Sequence, residues 1–552
     1  MKMKKIIPLT LLAAVSVNAA AQNVQDALRF SENNYYGTAR SISMGNAFTA
    51  LGGDLGSINL NPAGSAVNSF SQVTFTPNVS IVSTTSDYNA MPSQSTAYGS
   101  TLNNSSARFT LPNVGFTLNF DTNARRGLKR VTFGFIANAT ANYLDDMAAG
   151  GLFRSRNTAT SYAGSLASMM SGVNSSLLNG ENGYYGNANV PWNQVTGWQS
   201  GMVSTYGSAN DKYIGATEKL IDDGKGGQTI QLADAIDQLY GRRSHGNKYD
   251  LLFNVGLNIS DRVHIGGNLG IVSMDYTRNE YLKEIAVDPD KFGVEFDNGS
   301  GGVSKTYFNS LRYRYSYDMQ GGGVYAKFGI IAVPIDGLRI GAAIQTPTAN
   351  WITEHWQHAG ETWYQSNVFD ANATSPKGEY KYKFVSPFRA NFGVAYTFGG
   401  WGLVSVDYEI CDYSTMKFKE TDTNDNTVFD NGVNRDIKNF TGAAHALRLG
   451  AEVKPVPQFA IRAGYNFTSS PERYIDDLTG KKMTPKAYKH SLAAGVGYSS
   501  NGSFFCDLAF RWTKNPYEYV YPYDSYIDGE LSPEIRNRAR FYDVVATFGW
   551  RF

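Results

Sequence analysis

Hydrophobic and polar positions alternate residue by residue over many segments of this chain. Between 250 and 259, Leu251, Phe253, Val255, Leu257 and Ile259 share one face, and Asp250, Asn254, Gly256 and Asn258 share the other. Ser260 and Asp261 close a tight turn, after which Val263, Ile265, Leu269 and Ile271 oppose His264 and Asn268. Phe388, Phe392, Val394 and Tyr396 oppose Arg389 and Asn391, and Val404, Val406 and Tyr408 oppose Asp407 and Glu409. Phe459, Ile461, Tyr465 and Phe467 oppose Arg462 and Asn466; Phe504, Leu508, Phe510 and Trp512 oppose Asp507 and Arg511. The last segment, with Tyr542, Val544, Phe548, Trp550 and Phe552 against Asp543 and Arg551, ends the chain on an aromatic residue. A period of two predicts strands. Full charges opposite aromatic faces predict strands whose apolar side meets lipid and whose polar side lines a lumen.

Turn lengths sharpen the prediction. Short turns fall near 121–129, 260–261, 334–337, 399–400, 454–457 and 500–502, and long polar connections at 145–247, 278–309, 351–377, 414–439 and 514–538. Six short turns join seven hairpins, which gives about fourteen strands, within the range of outer-membrane barrels. Short turns are expected on the periplasmic side and long loops outside. The fold class is all-β: an antiparallel transmembrane β-barrel over residues 71–552. A soluble β-sandwich also alternates, but it would not be expected to alternate short and long connections so regularly.

Composition agrees. The aromatic share is 13%, with 35 Tyr and 31 Phe, a bias that suits strands at an interface. A formal net charge of +1 leaves no electrostatic footprint for nucleic acid. Lys2, Lys4 and Lys5, an apolar run over 6–17 and a small-residue stretch over 18–22 form a secretory signal, so residues 1–21 are expected to be removed on export. No cysteine stands directly after that site, and Cys411 and Cys506 fall on opposite faces of different strands, so a lipid anchor there and a disulfide are not expected. After the signal no apolar run is long enough for a helical membrane span.

Residues 22–70, ahead of the first strand near 73–83, have a different character: glycines and short helical patterns without alternation. Pro62 forces Asn61 out of the helical region and supplies the φ preferred at a first helical position, so Asn61 is an expected N-cap, and Gly64 lets the chain turn. Such a segment could sit inside a barrel as a plug.

The stretch GTARSISMGNAFTALGGDLGSINLNPAG (37–64), ending in Asn61, Pro62, Ala63 and Gly64, resembles the N-terminal hatch of the FadL/TodX outer-membrane transporters of long-chain fatty acids and hydrophobic compounds. LPNVGFTLNF (111–120), with the strand 131–143 after it, and LLFNVGLNISDRVHIGGNLGIV (251–272) are also similar. The resemblance implies a barrel in a Gram-negative-type outer membrane with a hatch in its lumen. Extracellular loops would capture a hydrophobic small molecule, the hatch would move, and the ligand would leave sideways at an inward kink of the third strand. Gly134 and Asn138 are the kink positions considered. It implies a transporter, not an enzyme, with no cofactor, acting as a monomer among outer-membrane lipid and lipopolysaccharide. Rival readings are a barrel of this type serving protein secretion or surface attachment, and haem uptake.

The 145–247 connection is longer than the resemblance implies. It holds two patterns at helical spacing: Leu166, Met169, Met170, Val173 and Leu177, and then Leu232, Ile236, Leu239 and Tyr240. The first is either a ligand-capture surface, for which Met is suited, or a face that packs on neighbouring loops. Asp407, Glu409, Arg448, Arg462, Asp507 and Arg511 are expected as lumen charge pairs. His355 and His358, in HWQH, would point apart in an extended segment, so no metal site is expected.

Overall fold

A computed structural model describes residues 23–89, 98–153, 161–179, 184–186, 190–222, 224, 226–297, 302–420, 432–476, 480–500, 503–523 and 532–552. The expected signal segment lies outside them. The chain forms a closed antiparallel barrel of 14 strands. These are β1 (Gln72–Asn89), β2 (Tyr98–Asp121), β3 (Leu128–Asn142, continued as Asp145–Phe153), β4 (Ile236–Ile259), β5 (Val263–Ala286), β6 (Val303–Ile335) and β7 (Leu338–Gln345, continued as Ala349–Tyr364). They continue with β8 (Gly378–Val385 and Arg389–Thr397), β9 (Gly402–Asp412 and Lys417–Glu420), β10 (Ala443–Val456), β11 (Phe459–Ser469), β12 (Tyr488–Ser499), β13 (Phe504–Lys514) and β14 (Glu534–Arg551). Each strand pairs with the next, and β14 closes on β1 with Gln72 opposite Arg551.

The alternation sorts outward as the sequence predicts. On β4, Phe253 is 49% exposed and its neighbour Asn254 2%. Phe75, Phe116, Leu269, Phe328, Phe392, Leu449 and Phe510 are likewise exposed round the barrel. An apolar girdle of this extent is untenable in water and is satisfied by hydrocarbon. β5 has 24 residues. At about 3.3 Å per residue and a tilt of about 45°, it rises roughly 55 Å, against an apolar band of about 25 Å. The strands therefore stand clear of the bilayer on the long-loop side.

There an apolar cluster roofs the barrel. It joins strand residues such as Tyr88, Phe153, Ile236 and Phe308 to inserted residues including Leu166, Met170, Val195 and Tyr213. The insert holds α3 (Tyr162–Met170), α4 (Trp192–Gln199) and two small hairpins.

Several loop boundaries differ from the sequence expectation because strand pairing extends beyond the bilayer. The expected connections 145–247, 278–309 and 351–377 begin or end inside β3, β4, β5, β6 and β7. Leu232, Ile236, Leu239 and Tyr240 are strand, not helix. Ile236–Ser244 lies along the continuation of β3, with Phe153 opposite Ile236. A spacing of four is even, so it puts Ile236 and Tyr240 on one face of a strand as well as of a helix, and the available ladder decides.

Candidate functional site

The lumen is filled by residues 23–67. Asn23 caps α1 (Val24–Ser31), its side chain accepting from the Asp26 amide at 2.9 Å, and Thr38 caps α2 (Ala39–Ser43). Asp54 accepts from the Thr38 hydroxyl at 2.6 Å and the Gly56 amide at 2.9 Å, tying α2 to the turn Leu55–Asn59. Asn61 is extended, with φ −141°, and its side chain accepts from the Ala63 amide at 3.1 Å. It heads a short 3-10 helix, Pro62–Val67. The same side chain donates to the Thr49 carbonyl at 2.7 Å and to the Ile330 carbonyl of β6 at 3.1 Å. One amide group thus starts the helix, folds the hatch on itself and ties it to the wall.

Backbone meets backbone at this seam. A Cβ at Gly266 would strike the Pro62–Ala63 backbone, one at Gly329 the Asn61 side chain, and one at Gly464 the Met44–Gly45 backbone. Gly341 and Gly450 meet the hatch in the same way, and Gly64 packs against Gly52 within it. Asparagines on the lumen face of β4 and β5 take the hatch carbonyls. Asn254 donates to Pro62 at 3.1 Å, Asn258 to Ala66 at 3.3 Å and Asn268 to Ile58 at 2.9 Å. The wall glycines were not singled out from the sequence, and Asn254, Asn258 and Asn268 were read only as polar-face residues; the signal was the recurrence of Gly and Asn on that face of successive strands.

Charges complete the attachment. Arg40 of the hatch pairs with Glu452 at 3.0 Å, Glu452 with Arg462 at 2.6 Å, and Arg462 with Asp507 at 2.5 Å. Glu409 lies between Arg389 at 2.9 Å and Arg448 at 2.6 Å. Arg389 also donates to the Ser31 carbonyl. Arg511 pairs with Asp543 at 2.9 Å and stacks on Tyr36, 4.2 Å from the ring centroid. Asp407 accepts instead from the Thr49 amide at 2.6 Å. The six charges singled out from the sequence all face the lumen; Asp407 and Arg511 reach hatch residues directly, Glu409 acts through Arg389, and Arg462 through Glu452.

On one side of the lumen the lining is apolar. Leu28 and Phe30 of α1 lie in a cradle with Ile136, Leu252, Val272, Met319, Tyr325 and Phe384 from the wall. Beside it the wall is incomplete. β2 pairs with β3 from Asp121 to Asn113, where Asn113 lies opposite Asn138, and pairing with the continuation of β3 resumes only at Ser100. Between these points β3 leaves the cylinder. The β3–β4 register shifts between Ala139 and Ala141, and residues 138–141 are buried without alternation. Hatch backbone takes the place of β2 here: Asn34 donates to the Thr140 carbonyl at 2.7 Å and Tyr36 to the Ala139 carbonyl at 2.9 Å. Arg108 of β2 spans the break, donating to the Gly246 carbonyl at 3.1 Å.

Asn138 therefore marks the last paired position below the break. Gly134 does not: it lies mid-ladder opposite Thr117, and the bend falls at Ala139–Ala141, where a bulge relieves the register. In the insert, Leu166 and Met170 are fully buried, Met169 and Val173 pack at the edge of the roof cluster, and Leu177, in a separate turn after α3, is 41% exposed. His355 and His358 lie on β7 and point apart: His355 contacts Asp318 and Glu379, and His358 contacts Tyr313 at 2.5 Å. Cys411 and Cys506 are free thiols.

No family model and no curated protein sequence matches the chain. Among solved structures it is similar to a Pseudomonas aeruginosa FadL homologue at 11% identity and a TM-score of 0.49, over 94% of this chain and 99% of that one. It is also similar to the Ralstonia pickettii toluene transporter TbuX at 14% identity and a TM-score of 0.45, and to the Pseudomonas putida toluene transporter TodX at 12% and 0.46, each over 94% of this chain and 99% of the other.

Proposed function

We propose that this chain is an outer-membrane transporter of the FadL/TodX type that takes up hydrophobic small molecules by passive diffusion and releases them sideways into the bilayer. One observation carries the reading: the apolar cradle around Leu28 and Phe30 adjoins the stretch where β2 has no partner on β3. A water-filled pore has no use for such a lining. An apolar molecule gains by passing from the cradle to hydrocarbon without crossing the periplasmic half of the lumen.

The attachments of the hatch bear on how it moves. Arg40–Glu452 and Asp407–Thr49 hold the part after residue 37, together with the glycine seam. Expulsion of the whole hatch would have to break the Arg40–Glu452 pair, the Thr49–Asp407 hydrogen bond and the backbone contacts of the seam together. Residues 32–37 carry no helix and meet the bulge at Ala139–Ala141. In this reading a ligand displaces α1 and that segment, breaking the Lys489–Glu32 pair and the Lys248 donations to Phe30, Glu32 and Asn33, and opens the break while the seam stays closed.

Uptake of a labelled long-chain fatty acid and of a labelled alkylbenzene into cells with and without the chain tests the proposal. Faster uptake of either, without a gain for a hydrophilic solute of equal size, supports it. Equal rates with and without the chain refute it. The expected surroundings are outer-membrane lipid and lipopolysaccharide, and the expected state is a monomer, since β14 closes on β1 within one chain.

A further inference from the structure

A group of cations lies on the lipid-facing side of β13 and β14, one step above the aromatic level. Trp512 lies opposite Tyr542, and the next outward pair is Lys514 opposite Arg540. Arg538 and Arg536 continue up the same face of β14, opposite Thr85 and Asp87 of β1. The guanidinium groups of Arg538 and Arg536 share one ring, Tyr517, at 3.4 and 4.3 Å from its centroid. Asp87, 3.7 Å from Arg536, is the ion-pair partner of this group among the described residues. Arg540 donates to the Thr85 hydroxyl at 3.3 Å. Arg538 and Lys514 have no hydrogen-bond or ion-pair partner among the described residues.

Four cations stand against the Asp87 carboxylate, while Glu534, at the top of the same row, is held by the Tyr521 hydroxyl at 3.0 Å, and such an arrangement opposes itself. Like charges directly opposite on paired strands are unfavourable, and two guanidinium groups on one ring bring the charges closer still. An anion between them removes the conflict. The site's height selects which anion. Trp and Tyr side chains mark the boundary between hydrocarbon and headgroups, so groups one residue pair above Trp512 and Tyr542 lie at the level of lipid phosphates. They lie on the long-loop side, hence in the outer leaflet. Guanidinium forks match phosphate oxygens in pairs, and stacking on Tyr517 fixes their planes in advance.

We propose that Lys514, Arg536, Arg538 and Arg540 form a binding site for the phosphorylated headgroup of an outer-leaflet glycolipid. The test is native mass spectrometry of the full-length barrel in mild detergent with diphosphorylated lipid A, with lipid A stripped of both phosphates, and with inorganic phosphate as competitor. The expected result is retention of the phosphorylated lipid, at least tenfold weaker retention of the stripped lipid, and no displacement by millimolar phosphate. Arg538→Gln combined with Arg540→Gln should also lower retention at least tenfold, with barrel folding checked by heat-modifiable electrophoretic mobility. The stripped-lipid comparison needs no variant and stands if the double variant fails to assemble. Equal retention of both lipids, unchanged retention by a folded double variant, or displacement by inorganic phosphate would each overturn the assignment.

Discussion

Replacing Asn61 by Ala removes three hydrogen bonds from one side chain: the cap on the Ala63 amide and the donations to Thr49 and Ile330. Loss of a cap costs about 0.5–2 kcal/mol. Each donated bond contributes about 1 kcal/mol net. Together these give roughly 2.5–4 kcal/mol, and a tenfold change in an equilibrium corresponds to about 1.4 kcal/mol. Opening of residues 57–67 should thus become about 60- to 700-fold more frequent. Hydrogen exchange of the detergent-solubilised protein reads this directly, because the strand ladders supply an internal reference that should not change. Asn61→Asp keeps a capping oxygen but turns a buried carboxylate oxygen towards the Thr49 and Ile330 carbonyls, so it should accelerate exchange at least as much as Asn61→Ala. Exchange in 57–67 unchanged to within threefold in Asn61→Ala would refute the reasoning and leave the glycine seam and the Asn254, Asn258 and Asn268 donations to hold the segment.

Gly266→Val puts branched carbons where the Pro62–Ala63 backbone passes; planar-bilayer recordings should show raised ionic conductance from a lifted hatch, with a folded barrel. Arg462→Ala leaves the buried Asp507 carboxylate without its ion-pair partner, and should cost about 3–5 kcal/mol, read as a lower unfolding temperature in detergent. In the insert between β3 and β4, Glu218 is 5% exposed, and burial pushes its carboxyl up to about 8 from the ordinary 4.5, against the opposing hydrogen bond from the Gly215 amide. A carboxyl raised in the folded state favours folding in its neutral form, so stability is greatest below the unfolded value and falls as pH rises from about 4.5 to 8. Proteolysis of the insert should therefore be slower at pH 5 than at pH 8.5, and Glu218→Gln should flatten that dependence.

The strands were legible because lipid on one side and a polar lumen on the other impose a strict period of two; Phe253 against Asn254 is the pattern in miniature. The hatch was legible at its stiff points, since Pro62 after Asn61 restricts the backbone without help from distant residues. What holds the hatch was harder to read. Gly266, Gly329 and Gly464 have meaning only once Asn61–Ala63 and Met44–Gly45 lie against them, a relation between segments hundreds of residues apart. The wall break was expected in the strand 131–143, with Gly134 and Asn138 as kink positions; Asn138 stands at its lower edge and Gly134 does not. The break lies in the run Ala137 to Asn142, which has no large side chain to hold it in the wall and is claimed by the hatch backbone. Leu232, Ile236 and Tyr240 misled because a spacing of four satisfies strand and helix alike.

The central claim, that apolar molecules leave through the break beside Asn138, is tested most directly by uptake in a variant that fills it. Ser106 lies in the β2 stretch without a β3 partner, on its inward side and half-buried. Ser106→Trp should leave barrel assembly intact and cut uptake of a labelled long-chain fatty acid to near the rate of cells lacking the protein. Uptake that persists at the original rate in the folded variant would contradict lateral release and require a route down the lumen.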